Sequence, residues 1–175
     1  MGVNKLHFYY GDGKGKTTAA MGMALRALGN GQTVLIGQFM KNGRSGEINA
    51  LEQMPDVTCI LAAPMETFAS RMGTAQLDQA AAAQRLCVRR LTDALSEKHP
   101  NFIILDELSV AVGTGLLDET ESWALVRRAL AEGETIVTGR NPPAAWLANA
   151  DYVSEIVKRK HPYDNGLQAR KGVEW

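Results

Sequence analysis

The chain has 175 residues, 45% hydrophobic and 22% charged, with 17 glycines and 6 prolines, the usage of one folded domain rather than of a disordered, collagen-like or low-complexity chain. Lysine plus arginine number 19 and aspartate plus glutamate 19, so the formal charge is zero. With no global field to gather nucleic acid or an anionic membrane, neither is expected as a partner, and any anion site has to be local.

Lys5 to Tyr10 (KLHFYY) reads as a strand that runs into a stretch with glycine at every second position, Gly11, Gly13 and Gly15. From Thr17 to Leu28 the pattern is helical, with Ala20, Ala24 and Leu28 four residues apart, and Gly29-Asn30-Gly31 closes it. Thr33 to Phe39 gives a second strand. A polar loop follows, Lys41 to Gly46, holding Lys41 and Arg44, then a short helix around Glu47 to Gln53 and a third strand, Val57 to Ala62. Leu77, Ala81, Val88, Leu91 and Leu95 mark a long alanine-rich helix that ends before Pro100. Phe102 to Leu105 is an apolar run ending in Asp106-Glu107; Asp118 and Glu121 form a capping pair for a helix reaching Gly133. Thr135 to Thr138 and Tyr152 to Val157 supply two more strands, and the last fifteen residues read as irregular. Strands alternating with helices predict an α/β fold, a mostly parallel sheet with helices on both faces.

Cys59 and Cys87 stand in no CxxC pair and at no metal-ligand spacing from a histidine, which argues against a disulfide framework or a structural zinc. No apolar run reaches the ~18 residues of a membrane helix, and Met1 to Lys5 lack the apolar core of a signal peptide, so a cytoplasmic setting is expected.

The sharpest chemical signal is Gly11-Asp12-Gly13-Lys14-Gly15-Lys16-Thr17-Thr18, between a strand and a helix. Its glycines let backbone N–H groups converge on phosphate oxygens. The helix amino end adds a positive dipole, Lys16 a point charge, and Thr17 a hydroxyl for Mg²⁺. The pattern GxxxxGK[ST] wants glycine at position 10, where this chain has Tyr10, so the loop is a variant. Asn101 to Glu107 (NFIILDE) is its partner strand, delivering Asp106 or Glu107 to hold Mg²⁺ beside Thr17. Arg140, just past a strand, can meet phosphate at the same sheet edge. His7 and His99 read as ordinary strand and helix-end residues, and Met65 and Phe68 as core packing after the third strand. These residues support a single nucleotide-binding domain for ATP or GTP with Mg²⁺ and leave the acceptor open among a kinase, an ATPase motor and a RecA-like binding module. The zero net charge and the 6% aromatic content disfavour the last.

Gly11 to Thr18, Leu105-Asp106-Glu107-Leu108, Thr138-Gly139-Arg140, and the ending Lys160-His161-Pro162 with Gly166 to Trp175 (GLQARKGVEW) together resemble the P-loop corrinoid adenosyltransferases over nearly the whole chain. The tail is the most specific part, because ordinary P-loop ATPases lack it. The resemblance implies a P-loop NTPase (RecA-like) fold over residues 1–175, with 161–175 closing on the active site. It also implies transfer of the adenosyl group of ATP to Co(I) of a reduced corrinoid, which attacks C5′ and expels triphosphate. Lys16 and Glu107 are then the catalytic pair. Gly11, Asp12, Gly13, Lys14, Gly15, Lys16, Thr17, Thr18, Arg26 and Arg140 bind the nucleotide, and Thr17 with Asp106 or Glu107 holds Mg²⁺ or Mn²⁺. Family members carry a Phe-x-Trp-like aromatic pair after the third strand; here the segment reads Ala63-Pro64-Met65-Glu66-Thr67-Phe68, which leaves Phe68, with His161, as the corrinoid candidates. An external flavoprotein or other reductant and a homodimeric state are further implications.

Overall fold

Among the described residues the alternating pattern becomes six strands, β1 (Leu6–Tyr10), β2 (Val34–Gln38), β3 (Val57–Leu61), β4 (Phe102–Asp106), β5 (Glu134–Gly139) and β6 (Tyr152–Glu155). They are joined by α1 (Lys16–Leu28), α2 (Gly46–Leu51), α3 (Thr74–Lys98), α4 (Leu108–Gly113), α5 (Glu119–Glu132) and α6 (Ala144–Ala148), with single 3-10 turns at Ala69–Arg71 and Pro162–Asn165. The computed structural model describes residues 4–41, 45–65 and 69–174. The strands form one sheet in the order β3-β2-β4-β5-β1-β6, and every pairing is parallel.

Side-chain alternation along the strands builds two cores. Leu6, Phe8, Leu35, Ile103, Leu105 and Val137 pack with α3, α4, α5 and Trp146 of α6, while Val34, Ile36, Phe102, Ile104 and Ile136 pack with Ala20, Met21 and Ala24 of α1 and with α2. β2 and β4 are buried on both faces, hence their unbroken apolar runs; β6, at the edge, is exposed throughout. Met65 packs in a smaller cluster with Ala80 and Leu116, as its apolar setting predicts.

The α/β reading therefore holds, with the sheet all parallel rather than mostly so. Asp118 caps α5 as expected, its carboxylate accepting from the Glu121 N–H at 2.9 Å. Two short helices, α4 and α6, went unforeseen. β6 stops at Glu155, two residues early, because Ile156 turns its carbonyl to the Gly13 N–H at 2.7 Å. An all-parallel sheet carries the carboxyl ends of all its strands to one edge, and the residues that follow those ends face one another there.

Candidate active site

At that edge the glycine loop leaves β1 beside the outgoing end of β6. The Ile156 N–H donates to the Tyr10 carbonyl and the Gly13 N–H to the Ile156 carbonyl, both at 2.7 Å. A Cβ on Gly11 would lie 2.6 Å from the Ile156 oxygen, and one on Gly13 2.7 Å from it. These two glycines are thus required by the neighbouring chain. Gly15 is different: it has φ +117° with nothing within 4 Å of a Cβ, and it opens α1 onto free space. α1 has no side-chain cap and no acidic residue in its first turn, so its amino-terminal N–H groups and positive dipole end are offered to an anion. Lys16 is buried there, and burial lowers the pKa of its ammonium, which among the described residues donates only to the Gly13 carbonyl at 2.9 Å.

β4 brings Asp106 to the same place, fully buried. Its Oδ1 accepts from Thr17 Oγ1 (2.8 Å) and Thr138 Oγ1 (2.7 Å), and its Oδ2 from Gln38 Nε2 (3.0 Å). One carboxylate thereby fixes α1, β5 and β2 relative to β4. Glu107 follows in a left-handed conformation (φ 61°, ψ 17°), its N–H donating to Thr138 Oγ1 at 3.0 Å. Burial, reinforced by Asp106, raises the pKa of its carboxyl against the pull of Lys41, Lys16 and Arg140. Thr17, Asp106 and Glu107 are hard oxygen donors of the kind Mg²⁺ or Mn²⁺ accepts when phosphate and water complete its shell. Among the described residues no cluster of three or more His, Cys, Asp or Glu offers a closed protein cage.

Most of the residues singled out from the sequence meet here. The Asp12 carboxylate accepts from the Lys158 N–H at 2.9 Å, a bond that lowers its pKa, and Lys14 pairs with Glu174 at 3.7 Å. Thr18 is exposed on the first turn of α1. Arg140 is exposed, yet close enough to act electrostatically on Asp12, Lys16 and Glu107. His161 stands further out, its Nδ1 accepting from the Tyr163 N–H at 3.2 Å, and lines a small recess with Tyr163, Leu167 and Glu174. Arg26 is not at the loop: it occupies the last turn of α1 against Met23, about 15 Å along the helix from Lys16. Phe68 lies outside the described residues. A groove of about 330 Å³ between β3 and the end of α3 includes none of the gathered residues.

Three side chains went unassigned. Gln38 and Thr138 hold Asp106, and Lys41 sets its Nζ 3.7 Å from Asp106 Oδ2. All three sit at or just past strand ends on the functional edge, the same signal that identified Arg140.

Residues 3–175 match the family model of the ATP:corrinoid adenosyltransferase BtuR/CobO/CobP. The chain belongs to this family. It is 32% identical to the corrinoid adenosyltransferase of Pseudomonas aeruginosa over 167 residues, covering 94% of this chain and 80% of that one. It is 33% identical to the corrinoid adenosyltransferase CobA of Salmonella typhimurium over 168 residues (95% and 83%), and 32% identical to that of Escherichia coli K12 over the same length and shares. Membership makes the chain a transferase. Among the described residues no helix is long and apolar enough to cross a membrane.

Proposed function

We propose that this adenosyltransferase-family chain moves the 5′-deoxyadenosyl group of ATP to the Co(I) of a reduced corrinoid: cobalamin, cobinamide or cobyrinic acid a,c-diamide. The cobalt electron pair attacks C5′, the Co–C bond forms as the C5′–O bond breaks, and triphosphate departs with the bonding pair. What carries this reading beyond nucleotide binding is the tail. The family match runs to residue 175, and the tail joins the glycine loop through Lys158 to Asp12 and Glu174 to Lys14.

In this mechanism the nucleophile belongs to the substrate, and the protein supplies position and charge. Lys16, Arg140 and the free N–H groups of α1 receive the negative charge that gathers on the departing triphosphate. Asp12 and Lys14 carry the loop's connection to the tail, whose His161, with Phe68, contacts the corrinoid. Thr17 with Asp106 or Glu107 holds Mg²⁺, which when bound neutralises part of the polyphosphate charge. A flavoprotein or other reductant in the cytoplasm supplies Co(I), and the working form is a homodimer.

The test is anaerobic incubation of the protein with Mg-ATP and chemically reduced cobalamin or cobinamide, following Co(I) absorbance and the phosphate product. Adenosylcorrinoid with stoichiometric triphosphate is the expected result. ADP released whether or not corrinoid is added would replace the proposal with an ATPase.

A further inference from the structure

The loop after β2 carries a cation that the reading above does not use. Phe39 is fully buried and its N–H donates to the Asp106 carbonyl at 3.0 Å. Met40 then takes a left-handed conformation, φ 56°, rare for a residue with a side chain. The bend is held from behind: buried Gln84 of α3 accepts the Met40 N–H through Oε1 at 3.3 Å, and the Lys41 carbonyl accepts from the Met65 N–H at 3.0 Å. A strained turn clamped on both sides points Lys41 back over the sheet edge, where its ammonium stands 3.7 Å from Asp106 Oδ2. This is ion-pair range and too long for a hydrogen bond.

Asp106 already has three hydrogen-bond donors, on Thr17, Thr138 and Gln38, so Lys41 is not needed to satisfy it. Among the described residues the Lys41 ammonium has no other carboxylate within 4.0 Å and no hydrogen-bond acceptor, and its side chain stays 32% exposed. The chain thus bends against its preference to aim a cation with unspent donors at the place where Lys16, Arg140 and the amino end of α1 converge. Their common complement is a polyphosphate.

We infer that Lys41 is a second polyphosphate ligand of this site, resting on Asp106 when the site is empty and swinging to the phosphate chain when nucleotide or triphosphate arrives. The inference rests on the reading of the glycine loop as a polyphosphate site. Gln84 is then a positioning residue, acting through the Met40 bend.

Calorimetric titration with inorganic tripolyphosphate and with Mg-ATP tests this without any corrinoid. Lys41→Met should weaken both roughly 10- to 100-fold, the range for losing one charge-assisted contact, and make the remaining affinity less sensitive to salt. Lys41→Arg, which keeps the charge, should recover most of the loss. Gln84→Leu should give a smaller loss of the same kind, since the cation is kept and only its aim relaxes. Tripolyphosphate affinity within twofold of wild type in Lys41→Met would overturn the inference and leave Lys41 as a counter-ion of Asp106, whatever happens to the melting temperature. Failure of the wild-type protein itself to bind tripolyphosphate would overturn the polyphosphate reading, and this inference with it.

Discussion

At the amino end of the sheet, Glu134 takes His7 Nε2 on one carboxylate oxygen and the Lys5 N–H on the other, both at 2.7 Å. Asp151 beside it takes Lys5 Nζ at 2.9 Å and the Leu6 N–H at 3.0 Å, and the Tyr152 ring stacks on His7 at 4.3 Å. At the carboxyl end the accounts are open. Among the described residues Lys16 donates only to a carbonyl, Lys41 stands off a carboxylate already provided for, Arg140 has no carboxylate within ion-pair range, and α1 begins uncapped. Both ends hold partly buried charge, so burial alone does not separate structure from function. What separates them is whether donors and acceptors are matched. Matched groups hold β1, β5 and β6 in register, and the unmatched donors are what the proposed polyphosphate site would use.

The strongest way to break this contrast is Lys16→Ala. It should lower Mg-ATP affinity by roughly 100-fold or more in calorimetry, since a buried charge-assisted contact is lost. It should leave urea unfolding within about 0.5 kcal/mol, because burial already disfavours this ammonium. Unchanged affinity would remove the loop from the site.

Next in size is Gly13→Ala. The new methyl would meet the Ile156 carbonyl oxygen at 2.7 Å and its Cγ2 at 2.9 Å, so we expect about 2–3 kcal/mol of destabilisation and easier proteolysis beyond Ile156. Gly15→Ala meets nothing and costs only its backbone strain, about 1–2 kcal/mol. Equal losses in the two variants would contradict the assignment of Gly13 to the tail crossing.

These glycines also show what the sequence could and could not disclose. Glycine at every second position announced the loop, and the strand before it and the helix after it fixed its setting; but Gly15 opens α1 onto free space while Gly11 and Gly13 allow the chain crossing, and only the partner strand, far off in sequence, tells them apart. Asp106-Glu107 was legible as an acidic strand end. The division of labour was not, because it depends on Thr138 and Gln38 arriving from other strands. Lys41 escaped notice as one lysine of a polar loop, its aim being set by a left-handed Met40 and by Gln84 on α3. Arg26 shows the reverse: similarity to a family position marks it for nucleotide contact, while its place in the last turn of α1, at the other end of the helix from Lys16, is a matter of helix length that the glycine loop does not announce. α4 and α6, at six and five residues, carry less than two helical turns, and unlike the equally short α2, which a polar loop sets off from the strand before it, they follow β4 and β5 more closely.

At the matched end, Glu134→Gln keeps the shape and removes the charge. It should cost about 1 kcal/mol in urea unfolding, the worth of one partly exposed charged hydrogen bond, and leave Mg-ATP affinity within twofold. A larger change in affinity would mean that the two ends are coupled through β1 and β5, and that matching does not isolate one from the other.

Glu107→Gln should give the smallest effect and sharpens the contrast through its pH dependence. Burial, with Asp106, raises the folded-state pKa of this carboxyl above its ordinary value of 4.5. Between the ordinary and the raised value the folded protein binds more protons than the unfolded chain. Wild-type stability therefore falls across that window as pH rises, and the penalty is fully present above the raised value. Glutamine bears no such burden. The variant should match wild type below about pH 4 and become the more stable of the two as pH rises, a divergence that urea unfolding at several pH values will read. Lys16, Lys41 and Arg140 oppose the rise, so tripolyphosphate without Mg²⁺, by engaging those cations, should drive proton uptake at Glu107, visible in calorimetry as a dependence on the buffer's ionisation heat and absent in Glu107→Gln. Equal uptake in both proteins would place the responsive proton elsewhere and make Glu107 a matched group like Glu134.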